Sequence, residues 1–83
     1  MIYSVKVSKS FEKDFARLDS LTQSRMLVSL EKMKANPFFD AKKLKNIAIG
    51  IWRSRMGDYR IRFDVIGHDI YLYRVRHRKD IYK

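Results

Sequence analysis

Residues 51–77 read IWRSRMGDYRIRFDVIGHDIYLYRVRH, and the period of their apolar positions decides the fold. Successive side chains of a strand point to opposite faces, so a period of two marks a half-buried strand. Trp52, Ser54 and Met56 alternate with Ile51, Arg53 and Arg55, and Gly57 with Asp58 supplies turn chemistry for a hairpin. Tyr59, Ile61, Phe63 and Val65 then line one face and Arg60, Arg62 and Asp64 the other, up to a second tight turn at Gly67 and His68. Asp69 to His77 completes a meander in which Tyr71, Tyr73 and Val75 oppose Ile70, Leu72, Arg74 and Arg76. Both faces of that strand are partly apolar, which predicts an interior position in the sheet.

Toward the N-terminus, Ile2, Tyr3, Val5 and Val7 predict a first strand ending at Ser8, after which Ser8 or Ser10 caps a helix. Phe11, Phe15 and Leu18 form its apolar stripe, with Lys9, Glu12, Lys13 and Arg17 opposite. Asp19 and Ser20 interrupt the pattern, and Ser20 with Gln23 reads as a capping box opening a second helix. Met26, Leu27, Leu30 and Met33 predict its buried stripe. Pro37 lacks an amide hydrogen and disfavours helical geometry before it, so the helix should stop at Asn36. Residues 38–50 are irregular, a loop with at most a short strand ending. The expected fold is α+β, a two-helix hairpin packed on a small antiparallel sheet in the order β-α-α-β-β-β.

The 83 residues leave no room for a second domain, while 46% hydrophobic and 13% aromatic content suffices for a thin two-layer core. No cysteine is present, which excludes disulfides, thiolate metal sites and a cysteine nucleophile. Two histidines nine positions apart make no zinc site, and three glycines make no phosphate-cradling loop. No metal or cofactor is expected. The opening MIYSVKVSKSF resembles neither a signal peptide nor a membrane span, so cytoplasmic residence and no membrane partner are expected.

Nineteen basic against nine acidic side chains give +10, a charge that favours polyanionic partners. Residues 1–41 contribute seven basic and five acidic groups, and residues 42–83 contribute twelve and four. The working surface is therefore expected in the second half. If the helices cover one sheet face, strand parity gathers Arg53, Arg55, Arg60, Arg62, Arg74 and Arg76 on the other, with Arg78 just past the strand end. Solvation explains any one surface arginine, but six on one face repel each other unless an anion relieves them. Lys42, Lys43 and Lys45 add a basic loop suited to phosphate contact.

IWRSRMGDYRIRFDV followed by YRVRHRKDIY resembles the RelE/ParE superfamily of bacterial and archaeal toxins. The resemblance spans nearly the whole chain, one RelE-like toxin domain over residues 1–83. It rests on a basic-x-basic pair ahead of Gly-Asp-Tyr-Arg, a hairpin, then His-Arg and a tyrosine four residues on. For the RelE branch it implies a toxin of a type II toxin–antitoxin system that cleaves messenger RNA in the ribosomal A site, without metal, by ribose 2′-hydroxyl attack on the adjacent phosphate. Arg53, Arg55, Arg60, Arg78 and Tyr82 would be the catalytic residues, with Lys42, Lys43, Lys45, Arg62 and Arg76 contacting RNA. The implied partners are the ribosome with its message and a cognate antitoxin laid across the basic face, with operator DNA reached only through the antitoxin complex. ParE-like relatives instead inhibit DNA gyrase without catalysis, the alternative reading on the same scaffold.

RelE-like members carry lysines where Arg53 and Arg55 stand. Guanidinium stays protonated, so this pair can neutralise phosphate charge but is a poor general base. His77, Tyr82, His68, Asp58 and Asp64 remain for proton transfer. Parity aims His77 with Val75 and Tyr73 toward the helices, His68 sits in a turn, Asp58 serves a turn and Asp64 relieves the arginines. A plain RNA-binding module is disfavoured because no aromatic pair is expected among the arginines.

Overall fold

The computed structural model describes residues 2–79. Strand β1 (Ser4–Val7) leads into helix α1 (Lys9–Ala16) and helix α2 (Ser20–Ala35), followed by strands β2 (Ala41–Lys43), β3 (Trp52–Met56), β4 (Tyr59–Ile66) and β5 (Asp69–His77). The five strands form one sheet in the order β1-β5-β4-β3-β2. The expected α+β architecture and the interior position of β5 hold. Two features extend it: β1 pairs in parallel with β5, making the sheet mixed, and the segment read as a loop contributes the short β2 against β3.

The helices begin and end on side-chain chemistry. Ser8 Oγ accepts from Phe11 N at 3.0 Å and donates to the Tyr73 carbonyl at 2.9 Å, so the α1 cap also ties that helix to β5. The α2 cap is Asp19 rather than Ser20: its carboxylate accepts from Thr22 N at 3.1 Å, while Gln23 donates to the Phe15 carbonyl across the helix junction instead of closing a capping box. Hydrogen bonding from the Thr22 side chain, and then from its backbone N, holds the Asp19 carboxyl below the usual carboxylate range. Asn36 is the C-cap, as Pro37 requires.

Phe11, Met26, Leu30 and Met33 from the helices meet Ile61, Phe63, Ile70, Leu72 and Val75 from the sheet. A fully buried side chain such as Phe63 contributes about 1.5–3 kcal/mol. Leu27 is not part of this stripe; it is 54% exposed, one step round the helix from Met26. Trp52 packs against the core with Phe38 tilted on it at a ring distance of 4.8 Å.

The parity expected for the last strand fails at one residue. Arg62 pairs with Arg74 but Phe63 pairs with Leu72, so Tyr73 is an extra residue in β5. The bulge resets the alternation: Ile70 and Leu72 are core on one side of it, Val75 on the other, while Tyr71 and Tyr73 join the arginine face. Ile70 and Leu72 therefore offer no apolar surface to a partner on that face. The aromatics judged absent from the arginine face are present there.

Candidate nucleic-acid interface

Strand pairing sets the basic side chains of the sheet's second face in two rows. In one, Lys42, Arg53, Arg62 and Arg74 are successive cross-strand neighbours; in the other, Arg55, Arg60 and Arg76. Directly opposed residues on an antiparallel pair have Cβ atoms about 5 Å apart, so each row is a line of like charges. Lys43 pairs with Trp52 and so has the opposite parity, toward the helix layer, and Lys45 lies exposed in the loop after β2. Of the predicted RNA contacts, Lys42, Arg62 and Arg76 thus share the face with Arg53, Arg55 and Arg60, whereas Lys43 and Lys45 do not stand in either row. Tyr82 lies outside the described residues.

The first row is partly committed to the protein itself. Arg62 donates to the Gly50 carbonyl at 2.9 and 3.0 Å and to the Ile49 carbonyl at 2.9 Å. Asp64 on the same face accepts from Gly50 N at 3.0 Å and Ile51 N at 2.8 Å, so its charge serves this loop and not the arginines. Together they clamp residues 49–51 down onto the sheet. Gly50 makes the clamp possible: its φ is +65°, and a Cβ there would sit 3.2 Å from Tyr73 Cδ2. Gly50→Ala is expected to lose about 2 kcal/mol of stability from backbone strain and this contact, read as a lower urea midpoint; an unchanged midpoint would exclude the clamp. Burial, and then the nearby Asp64 carboxylate, raise the Tyr73 phenol above its ordinary value.

Asp14 is a residue of this face's framework that the sequence pattern alone did not single out. It is 7% exposed and sits where β1 has ended and β5 has an open edge. Its Oδ2 accepts from Val75 N at 3.1 Å and from Arg74 Nε at 2.8 Å, and Oδ1 accepts from Arg74 Nη2 at 3.2 Å, with Arg76 Nε at 4.0 Å. One carboxylate thus replaces a missing strand partner and anchors the ends of both rows. The same hydrogen bonds push the Arg74 guanidinium above its ordinary value. The signal was present: Asp14 follows Phe11 by three and precedes Leu18 by four, on the apolar stripe, where a carboxylate needs a partner.

The second row is the open one. Among the described residues Arg55 is exposed and makes no hydrogen bond or ion pair. Arg60 Nη1 donates to the carbonyls of Gly57 at 3.0 Å and Tyr59 at 3.1 Å, which holds it at the β3–β4 turn. Arg78 joins it there through its backbone N to the Asp58 carbonyl at 2.7 Å, with only a 3.9 Å contact from Nε to the Asp58 carboxylate. Arg55, Arg60, Arg76 and Arg78 therefore converge at one end of the sheet with little neutralising charge. The proton-transfer candidates are dispersed. His68 is in the turn at the other end, beside Tyr3, and His77 packs edge-on against Tyr59 at 5.6 Å with Nδ1 accepting from Lys79 N at 3.3 Å. Among the described residues no group of three His, Cys, Asp or Glu side chains can hold a metal ion.

A two-helix layer backing a five-stranded mixed sheet whose open face ends in clustered arginines defines a small α+β domain with a basic face. Residues 5–82 match the family model of the ParE toxin of type II toxin–antitoxin systems, parDE, and the chain belongs to this family, within the RelE/ParE superfamily. The RelB–RelE antitoxin–toxin complex from Methanococcus jannaschii is similar at 31% identity over 92% of this chain and 93% of that chain, with a TM-score of 0.73. The archaeal RelE–RelB complex from Pyrococcus horikoshii follows at 26% identity, 96% and 99% coverage and a TM-score of 0.78. The RelBE2 complex from Mycobacterium tuberculosis shares the fold with a TM-score of 0.81 at 20% identity, covering 93% of this chain and 99% of that chain. A search of curated proteins found no match. No helix among the described residues is long and apolar enough to cross a membrane.

Proposed function

We propose that this toxin is a ribosome-dependent endoribonuclease that cleaves messenger RNA in the A site without a metal ion. The observation that carries the reading is the cluster of Arg55, Arg60, Arg76 and Arg78 at one end of the sheet, Arg55 and Arg78 exposed and Arg60 and Arg76 half-buried, with only the long contacts of Arg76 to Asp14 and of Arg78 to Asp58 as counter-charge. In the reaction the ribose 2′-oxygen loses its proton and bonds to the adjacent phosphorus, while the bond from phosphorus to the 5′-oxygen breaks and that oxygen takes up a proton. The upstream fragment ends in a 2′,3′-cyclic phosphate. Charge accumulates on the non-bridging oxygens, and guanidinium forks match that geometry while staying protonated. Arg60, held by the turn carbonyls, and Arg78 beside it are preorganised for that task, and Arg53 and Arg55 supply further positive charge from β3. With arginines unable to accept a proton, holding the message in line supplies much of the acceleration, and the ribosome shares in it. Tyr82 is assigned to the 5′-oxygen or to stacking on a base.

The match to the ParE family model favours a second reading, inhibition of DNA gyrase without catalysis. Mapping message ends in a purified translation system separates the two. Cleavage at the A-site codon that leaves a cyclic phosphate, and that persists when a zinc-selective chelator is added with magnesium retained for the ribosome, is the expected result. Intact messages together with inhibited gyrase supercoiling would replace the nuclease reading by the gyrase one.

The solved complexes of RelE with RelB support a cognate antitoxin for this chain. Ten net positive charges favour an antitoxin segment that is acidic where it meets the arginine rows, held by charge-assisted hydrogen bonds. Ile70 and Leu72, being in the core, supply none of its apolar contacts. Binding is expected to be nanomolar or tighter, with an association rate that falls as salt rises. Stopped-flow mixing over a salt series checks this, and a salt-independent rate would exclude electrostatic docking on the arginines. The proposed setting is the cytoplasm, with operator DNA contacted only by the complex.

A further inference from the structure

Beside the second arginine row, on the α2 side of β3, lies a groove of about 510 Å³ of whose lining the cleavage chemistry above uses Arg55 alone. It exists because β2 pairs only with Trp52–Ser54, which leaves the edge of β3 uncovered at Arg55. The turn after α2 forms the opposite wall: Phe38 packs on Trp52, and Phe39 is thrown outward, 77% exposed. Lys32, Asn36, Phe39, Asp40, Ser54 and Arg55 line the groove.

These groups match the parts of a nucleotide. Phe39 presents an aromatic face wide open to solvent, and any nucleobase stacks on such a face. Lys32 and Arg55 are the cations on its rim. Asn36 accepts from Phe38 N through Oδ1 at 3.2 Å, which leaves its amide hydrogens for a ligand. Among the described residues no cation lies within ion-pair distance of Asp40. A free carboxylate accepts hydrogen bonds and donates none, so it selects a base edge carrying adjacent N–H donors, and guanine N1–H with its N2 amine is the best fit. The volume falls in the range of small-ligand sites, about 300–1,000 Å³.

We infer that this groove holds one nucleotide of the RNA, its base stacked on Phe39 and selected as guanine by Asp40, its phosphate shared between Arg55 and Lys32. Arg55 decides in favour of RNA over a peptide: it belongs both to the arginine row and to the groove wall, so a strand whose phosphates cross the row runs directly into the groove. The inference rests on the reading that the arginine row carries RNA, and it makes Phe39 and Asp40 determinants of affinity and of sequence preference.

The test uses a 2′-O-methyl trinucleotide with guanine, which cannot be cleaved, titrated into the ribosome-free protein and followed by amide NMR shifts. Shifts are expected at Ser29, Lys32, Phe39 and Asp40. Phe39→Ala, at an exposed position where folding is safe, should weaken binding about 10-fold, while Phe39→Trp keeps the affinity and has its fluorescence quenched by the base. Asp40→Asn should bring guanine and adenine trinucleotides to equal affinity. Binding that is indifferent to Phe39→Ala, or shifts confined to the arginine rows, would overturn the inference, as would a Phe39→Ala variant that loses only antitoxin affinity, since the groove would then be a protein site. A parent protein that binds the trinucleotide in the groove yet leaves messages intact retains the groove and removes the nuclease reading.

Discussion

Arg60→Ala and Arg78→Ala are each expected to lower message cleavage by about 100-fold or more and to relieve growth arrest on expression, because in the proposed reaction each removes a positive charge from where phosphate charge develops. The two variants test different things. Arg78 is 59% exposed and donates only a long contact to Asp58, so its loss leaves folding untouched. Arg60 also bonds the carbonyls of Gly57 and Tyr59 at the turn, so its removal costs about 1 kcal/mol of stability besides activity. Arg60→Lys keeps the charge and loses the planar fork, and should recover only a part of the rate. Cleavage kinetics with the unfolding midpoint measured in parallel separate the effects. If both alanine variants, folded by circular dichroism, arrested growth as strongly as the parent, the arginine cluster would not be the site.

Asp14→Ala has the largest expected effect on stability, about 2–4 kcal/mol, or a melting point lower by roughly 10–20 °C for a domain of this size. The side chain is nearly buried, and its removal orphans the amide of Val75 at an open sheet edge and leaves Arg74 without its acceptor. Arg74 is 38% exposed, so water takes over part of its hydration and the cost stays below that of a fully buried pair. Asp14→Asn keeps an acceptor for Val75 N but not the charge and should lose about half as much. Thermal unfolding of both variants measures this. An Asp14→Ala protein as stable as the parent would mean that the carboxylate does not seal the edge.

The strands β3 and β4 were legible in the sequence because each buries one face only, and Ile61 and Phe63 cannot reach the core without sending Arg60 and Arg62 the other way. The helical hairpin was legible for a similar local reason: one proline fixes where α2 ends, and a serine hydroxyl within three residues of Phe11 fixes where α1 begins. The resemblance carried by Gly-Asp-Tyr-Arg and His-Arg named the superfamily on residues close together in the chain. Each of these signals lies within a few residues of the structure it specifies.

What only the tertiary structure decided depends on partners far apart in the chain. Tyr73 joins the arginine face because β5 carries one residue more than β4 at that point, and nothing in YLYRV marks which residue is the extra one. Asp14 and Val75 meet across 61 positions, where β1 is too short to pair the rest of β5. Arg62 and Asp64 read as part of a free charged surface, yet they spend their charges on the backbone of residues 49–51, which packs on them only because Gly50 lies against Tyr73. A local pattern determines which face a side chain takes, since the period of a strand is a property of its own backbone. Whether a charge on that face is free for a ligand or committed to the protein depends on which distant segment supplies the counter-group, and that became visible only when the chain had closed on itself.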